Sequence, residues 1–93
     1  MTREELEKRT IERAIGYLEK AVGRCRKETL DRWSLEPPLQ FLEMRAKEQW
    51  PFEEFRQALE GDGSSEGWQV EGRYQMLNAS LNGIKLAVQE LLK

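Results

Sequence analysis

Seven apolar or aromatic residues in the last third of the chain recur at alternating steps of four and three, without a fault over three heptads. An α-helix places residues at this spacing in one stripe that faces a neighbouring helix. The pattern therefore predicts a long helix over about 66–92, whose stripe other segments must cover. This stripe, the C-terminal seam, consists of Val70, Tyr74, Leu77, Leu81, Ile84, Val88 and Leu91.

A second stripe with the same spacing lies in the first third of the chain and predicts another long helix, over about 2–33. Thr2 and Glu5 have the spacing of a capping box, which indicates a helix start. Gly16 and Gly23 lie inside this helix at a cost of about 1 kcal/mol each relative to alanine. Either close approach of another helix or simple tolerance explains them. This N-terminal seam consists of Ile11, Ile15, Leu18, Val22, Cys25 and Thr29.

Prolines divide the region between the two seams. Because proline is accepted mainly in the first turn of a helix, Pro37 and Pro38 predict the end of the first helix and the start of a short one over about 37–49. Pro51 predicts a further short helix over about 51–60, stopped by Gly61. The segment 61–67 has no apolar residue, which predicts a flexible loop. We therefore expect one all-α domain over 1–93, a four-helix arrangement in which two long antiparallel helices flank two short ones.

The C-terminal helix carries a second stripe away from its seam. Its only charged residues from 68 to 92 are Glu71, Arg73, Lys85 and Glu90. A helix with so few charges has apolar surface to bury on more than one side. We therefore expect a homodimer and predict a partner-binding set of Trp68, Met76, Ala79, Gly83 and Leu86.

Aromatic residues concentrate around the two short helices, and we expect most of them in the core, where large side chains cover the long helices. A recognition surface is the alternative, because aromatic side chains often anchor interfaces. Trp68 is the expected exception, since it flanks the loop. The group consists of Trp33, Phe41, Trp50, Phe52, Phe55 and Trp68.

Basic residues cluster late in the first helix and could bind phosphate groups, so a weak nucleic-acid-binding protein is one alternative function. The overall net charge of −2 and the absence of a helix-turn-helix or RNA-binding pattern make nucleic acid an unlikely partner. We expect these residues instead to solvate the helix and to face the acidic middle segment, 36–66. The basic patch consists of Lys20, Arg24, Arg26, Lys27 and Arg32.

Most catalytic chemistry lacks its usual residues in this sequence. There is no histidine and only one cysteine, which removes the common general base, the usual zinc site and thiol redox pairs. A carboxylate-dependent enzyme or metal-binding protein remains a second alternative, and it would draw on Glu53, Glu54, Glu60, Asp62 and Glu66. Their spacing is not that of a calcium loop. We therefore expect no enzymatic activity, no cofactor and no metal.

The remaining expectations concern compartment and function. No signal-peptide pattern and no apolar run long enough for a membrane span occurs, and a lone cysteine fits a reducing cytoplasm. Cys25 lies in the N-terminal seam and should be a buried, inert thiol. The sequence thus predicts a cytoplasmic protein-interaction or regulatory module that binds itself and an unidentified protein and does not act at a membrane.

Overall fold

The structure, a computed structural model, describes residues 2–28, 30–47, 50–60 and 67–92, with the backbone alone for 67–70. These residues form four helices, α1 (Arg3–Arg24), α2 (Arg32–Ala46), α3 (Phe52–Glu60) and α4 (Gly67–Leu92), and none of them forms a strand. The predicted all-α, four-helix arrangement is therefore confirmed.

Ion pairs between helices show their directions. Glu7 near the start of α1 lies 2.5 Å from Arg45 near the end of α2. Arg26, just after α1, lies 2.6 Å from Glu71 near the start of α4. The long helices α1 and α4 are therefore antiparallel, as predicted, and α4 packs against all three of the other helices.

The first helix starts where the sequence predicts but ends much earlier. Thr2 Oγ1 accepts the backbone N–H of Glu5 at 3.2 Å, which caps α1. The predicted continuation to residue 33 is wrong, because α1 ends at Arg24. The backbone N–H groups of Lys27 and Glu28 donate to the Arg24 carbonyl at 2.9 and 3.0 Å and turn the chain. Thr29 of the N-terminal seam lies outside the described residues.

Asp31 accounts for the early start of the second helix. Its side chain accepts the backbone N–H of Trp33 at 3.0 Å. Aspartate is a poor interior helix residue and a strong N-cap, so at this position it favours a new helix over continuation of the old one. The turn also brings Leu30 and Leu35 into the core.

Both prolines lie inside α2, so the prediction that they start this helix is wrong. Pro37 and Pro38 lack the N–H groups that would bond the carbonyls of Trp33 and Ser34. Trp33 and Ser34 are exposed, so water can solvate those carbonyls. The helix accommodates the prolines because the unpaired carbonyls lie in its outward first turn.

The second helix also ends earlier than the predicted residue 49. Lys47 adopts a left-handed conformation with φ of 61°, and its N–H donates to the Glu43 carbonyl at 2.9 Å. Such a residue commonly closes a helix. Gln49 lies outside the described residues.

The third helix spans Phe52–Glu60, close to the predicted 51–60. Its last turn is closed by a residue of α4: Arg73 donates through Nε to the Ala58 carbonyl at 3.1 Å and through Nη2 to the Leu59 carbonyl at 2.9 Å. The cation satisfies two free carbonyls and complements the negative end of the helix dipole. The predicted stop at Gly61 and residues 61–66 of the predicted loop lie outside the described residues, whereas Gly67 begins α4.

The C-terminal seam forms the centre of the core. Leu77, Leu81, Ile84 and Val88 are buried, Tyr74 packs against them, and Leu91 at the end of the helix is exposed. Burying a side chain of this size stabilises the fold by about 1.5–3 kcal/mol. The side chain of Val70 is outside the description. The other helices contribute Ile11, Leu18, Ala21, Val22, Cys25, Leu35, Leu39, Leu42, Phe52, Phe55, Ala58 and Leu59 to the same cluster.

A half-buried arginine joins α3 to α2. Arg56 Nε lies 2.8 Å from Glu36 Oε1, and its Nη2 lies 2.6 Å from Glu43 Oε2. Burial alone would lower the pKa of Arg56, but the hydrogen bonds to Glu43 and Glu36 outweigh it and raise that pKa. The pairing therefore keeps Arg56 charged and satisfies both carboxylates of α2.

Gly83 allows α4 to approach the start of α3. A Cβ atom placed on it would lie 2.9 Å from Cγ and 3.2 Å from Cβ of Pro51. Both distances are shorter than carbon atoms normally allow, and the proline ring cannot rotate away. Apart from the neighbouring backbone of its own helix, no atom of the described residues lies within 4 Å of the corresponding point on Gly16. Within the chain, close approach therefore explains the glycine at position 83 but not the one at 16.

This difference predicts opposite effects of alanine at the two positions. Gly83→Ala should lower the free energy of unfolding, because a clash of about 1–3 kcal/mol exceeds the gain of about 1 kcal/mol in helix propensity. Gly16→Ala should raise it by up to about 1 kcal/mol. Urea denaturation of both variants checks this, and equal stabilisation by both would contradict the contact with Pro51.

Candidate interaction surfaces

The exposed side of α4 carries no charge over more than four turns. From Gly72 to Gln89 every fully exposed residue of the helix is uncharged. Met76 and Leu86 are the largest apolar side chains there, 56% and 64% exposed. We call this surface the α4 outer face, and it comprises Gly72, Gln75, Met76, Asn78, Ala79, Asn82, Leu86 and Gln89.

The two charged residues within this stretch lie at its sides and bind other helices. Lys85 Nζ lies 2.5 Å from Glu19 Oε1 of α1. Arg73 donates to the end of α3, as described above. The charged side chains that flank the α4 outer face are therefore directed away from it, toward other helices of the chain.

Three residues of the predicted partner-binding set lie together on this face: Met76, Ala79 and Leu86 are exposed. Gly83 instead lies against Pro51 of the same chain, so its role is the contact between α3 and α4. The side chain of Trp68 is not among those described. The structure thus brings together the aliphatic part of the predicted set.

The predicted basic patch is mostly engaged in ion pairs. Arg24 pairs with Glu28 at 3.2 Å, Arg26 with Glu71 at 2.6 Å and Arg32 with Glu60 at 2.7 Å. The last of these pairs joins the patch to the acidic middle segment, in agreement with the expectation for that segment. Lys20 and Lys27 are exposed and make no ion pair with the described part of the chain.

Arg26 is the most fully engaged member of the patch. Its guanidinium lies 3.8 Å from the ring centroid of Tyr74, in addition to its bond with Glu71. The hydrogen bond to Glu71 raises the pKa of Arg26. Arg26 therefore joins the turn after α1 to α4, although its side chain remains 48% exposed.

Of the five carboxylates considered for a metal or catalytic site, the three that the structure describes do not converge. Glu54 accepts the indole N–H of Trp50 at 2.6 Å, Glu60 pairs with Arg32, and Glu53 is exposed. Asp62 and Glu66 lie outside the described residues. Within the described residues, no group of three or more histidine, cysteine or acidic side chains is placed to hold a metal ion.

Cys25 lies at the C-terminal end of α1 and is buried. Burial raises the pKa of its thiol, and the nearby positive charges of Arg73 and Arg26 offset only part of this effect. The thiol therefore has both restricted access and a small thiolate fraction near neutral pH.

An exposed apolar surface lies on α2, where most of the aromatic residues were expected in the core and a recognition surface was the alternative. The core prediction is correct for Phe52 and Phe55, but Trp33 and Trp50 are exposed. Every fully exposed residue from Trp33 to Met44 is uncharged, and we call this set the α2 outer face: Trp33, Ser34, Pro37, Gln40 and Met44. Apolar residues on all sides of 33–46 could have indicated a helix with two apolar faces. The helix boundary predicted at the prolines instead separated Trp33 and Leu35 from the rest.

A groove of about 410 Å³ lies beside this surface, between α1 and α2. Its walls are mainly apolar, and Arg13 stands at its α1 edge. We call it the α1–α2 groove, and its lining includes Thr10, Arg13, Ala14, Tyr17, Pro37 and Phe41.

A larger cleft of about 600 Å³ opens where the start of α1 meets the end of α4. Its lining mixes acidic side chains, such as Glu4 and Glu7, with Ile11 and Leu91, and it includes the pair between Glu7 and Arg45. Both signs of charge and apolar groups occur in this lining. The cleft therefore indicates no particular ligand chemistry.

Comparison of the chain with protein-family models, with curated proteins and with solved structures gives no match. Among the described helices, none combines the length and the apolar character needed to cross a bilayer.

Burial of Cys25 predicts slow thiol labelling in the folded protein. A soluble disulfide reagent should modify native protein at least about tenfold more slowly than urea-unfolded protein, and the native rate should rise only at higher pH than for an ordinary thiol. An exposed thiol in a Cys25→Ser/Lys27→Cys variant provides the control, which should react rapidly in both states. Equal labelling rates for native and unfolded wild type would contradict this placement of Cys25.

Proposed function

We propose that this chain is a non-enzymatic protein-interaction module that forms a homodimer through the α4 outer face. The observation that carries the proposal is the absence of charge on that face from Gly72 to Gln89, together with the exposure of Met76 and Leu86. A surface helix normally presents charged residues to water, so this composition is typical of a face that another chain covers.

A second copy is the favoured occupant because of symmetry. In a two-fold dimer each patch meets its own equivalent, so charged faces would place like charges opposite one another. The α4 outer face avoids this repulsion, and Asn78, Asn82 and the glutamines can exchange amide hydrogen bonds across the axis. From Gly72 to Gln89 the helix extends about 26 Å at 1.5 Å per residue, long enough for a substantial helix–helix contact.

The alternatives have weaker support. Nucleic-acid binding would rely on a patch in which Arg24, Arg26 and Arg32 already pair with carboxylates. A carboxylate-dependent enzyme or metal site would need acidic groups that converge, whereas Glu54 and Glu60 are bonded to different partners. Binding through helix faces therefore remains the better proposal.

A reducing cytoplasm is the compartment that we propose for this module. The chain has a single cysteine, Cys25, and its side chain is buried in the core. A domain of this kind obtains its stability from apolar burial and ion pairs and has no disulfide to maintain.

The dimer proposal predicts a specific effect of charge on the α4 outer face. Wild type should have twice the mass of one chain by light scattering, and Met76→Glu/Leu86→Glu should be a monomer with unchanged helical content, because the introduced carboxylates repel across the axis. Leu6→Glu, at another exposed apolar residue, should remain dimeric.

Two further outcomes define the test. Leu81→Asp/Ile84→Asp places charges at buried positions and should abolish folding, which separates a loss of the core from a loss of the interface. A wild-type monomer at all accessible concentrations would contradict the proposal.

A further inference from the structure

The second helix has apolar residues on two opposite sides. Leu35, Leu39 and Leu42 are in the core, while Trp33 and Met44 on the other side are 76% and 71% exposed. Large apolar side chains with this much contact with water are unusual on a helix that has already buried one side. The α2 outer face therefore has a composition that suits an interface.

All the charged side chains from Arg32 to Arg45 in α2 bind other helices, so the α2 outer face has no charged member, but the Arg32 guanidinium lies 5.5 Å from the ring centroid of Trp33. Glu36 and Glu43 bind Arg56, Arg32 binds Glu60, and Arg45 binds Glu7. Arg45 likewise lies 4.9 Å from the ring centroid of Phe41, so the charges next to this apolar surface are positive.

The opposite edge of the α1–α2 groove is positive. Arg13 lines the groove, and Lys20, seven residues later, lies on the same side of α1. No residue three or four positions from either of them is acidic, and both are exposed without an ion pair to the described part of the chain. Of the acidic residues of α1, Glu7 and Glu19 are directed toward Arg45 and Lys85 on other helices.

From this asymmetry we infer that the α1–α2 groove and the α2 outer face bind an acidic amphipathic helix of a partner protein. The apolar side of that helix would cover Trp33, Phe41 and Met44, and its carboxylates would meet Arg13 and Lys20. This inference rests on the proposed function as an interaction module, but it uses a different surface from the dimer.

The shape of the site favours a helix as its occupant. The α1–α2 groove is shallow, open and mainly apolar, and a groove between two antiparallel helices can accept the ridge of a third helix. The distance from Trp33 to Met44 along α2 is about 17 Å at 1.5 Å per residue, or three turns of a bound helix. Apolar residues spaced three or four positions apart on that helix would match this length.

Charge distinguishes this site from the α4 outer face. A second copy docked symmetrically here would bring two sets of Arg13 and Lys20 into one interface, and the lining of the groove offers no acidic residue to pair with them. A flat lipid surface would contact the exposed Trp33 and Met44 more readily than the half-buried Ala14 and Phe41. An acidic amphipathic helix can contact the apolar groups of the groove and pair its carboxylates with Arg13 and Lys20.

Selection from a displayed library of helical peptides against the full chain tests the inference. Enriched peptides should be acidic and amphipathic, with apolar residues at steps of three and four. The best of them, measured by fluorescence anisotropy, should bind at least about tenfold more weakly to Arg13→Glu/Lys20→Glu and to Trp33→Ser/Met44→Ser. Replacing its acidic residues by lysine should restore binding to Arg13→Glu/Lys20→Glu.

Matched controls separate this site from the dimer. Met76→Glu/Leu86→Glu should bind the peptide as wild type does, whether or not wild type is a dimer. Enrichment of basic peptides or equal binding to all variants would overturn the inference. So would a selection in which wild type enriches no more peptides than a parallel selection against Trp33→Ser/Met44→Ser. So would a change of oligomeric state in Trp33→Ser/Met44→Ser, or phosphatidylserine-vesicle binding that this variant loses, because each assigns the surface to another occupant.

Discussion

One buried stripe of α4 provides the surface on which the rest of the molecule depends. The helix packs against α1, α2 and α3, and its residues Leu77, Leu81, Ile84 and Val88 join a single core cluster with all of them. Because one side of α4 serves three helices, its other side remains open to solvent. The exposure of the α4 outer face thus follows from the way the chain closes around a single long helix, whereas its lack of charge does not.

The stripes of both long helices, the start of α1 and the all-α class could be predicted from sequence, because heptad spacing and N-capping are local patterns. The turn after Arg24 could not, because the seam continues through Cys25 to Thr29. Asp31 decides the outcome by capping a new helix, and the burial of Leu30 and Leu35 requires the turn. The burial of these two leucines depends on the other helices, so the heptad spacing of the sequence does not reveal it.

The error at that boundary also hid a candidate site. With Trp33 assigned to the first helix and the next helix started at Pro37, the α2 outer face was divided between two elements. The α4 outer face was recognised because α4 was read around its whole circumference as one helix. Gly83 shows the remaining difficulty, since a small residue facing Pro51 and one facing a partner have the same pattern in sequence.

The reversal of the chain between α1 and α2 leaves α2 with one buried and one exposed apolar side, and the α2 outer face and the α1–α2 groove both depend on it. Backbone chemical shifts combined with a soluble paramagnetic probe test it most directly. We expect non-helical shifts over 25–28, helical shifts from Arg32 through the prolines, strong broadening of the Trp33 indole and Met44 methyl signals, and protected methyls at Leu39 and Leu42. An uninterrupted helix from residue 3 to residue 33, or a protected Trp33, would contradict the account.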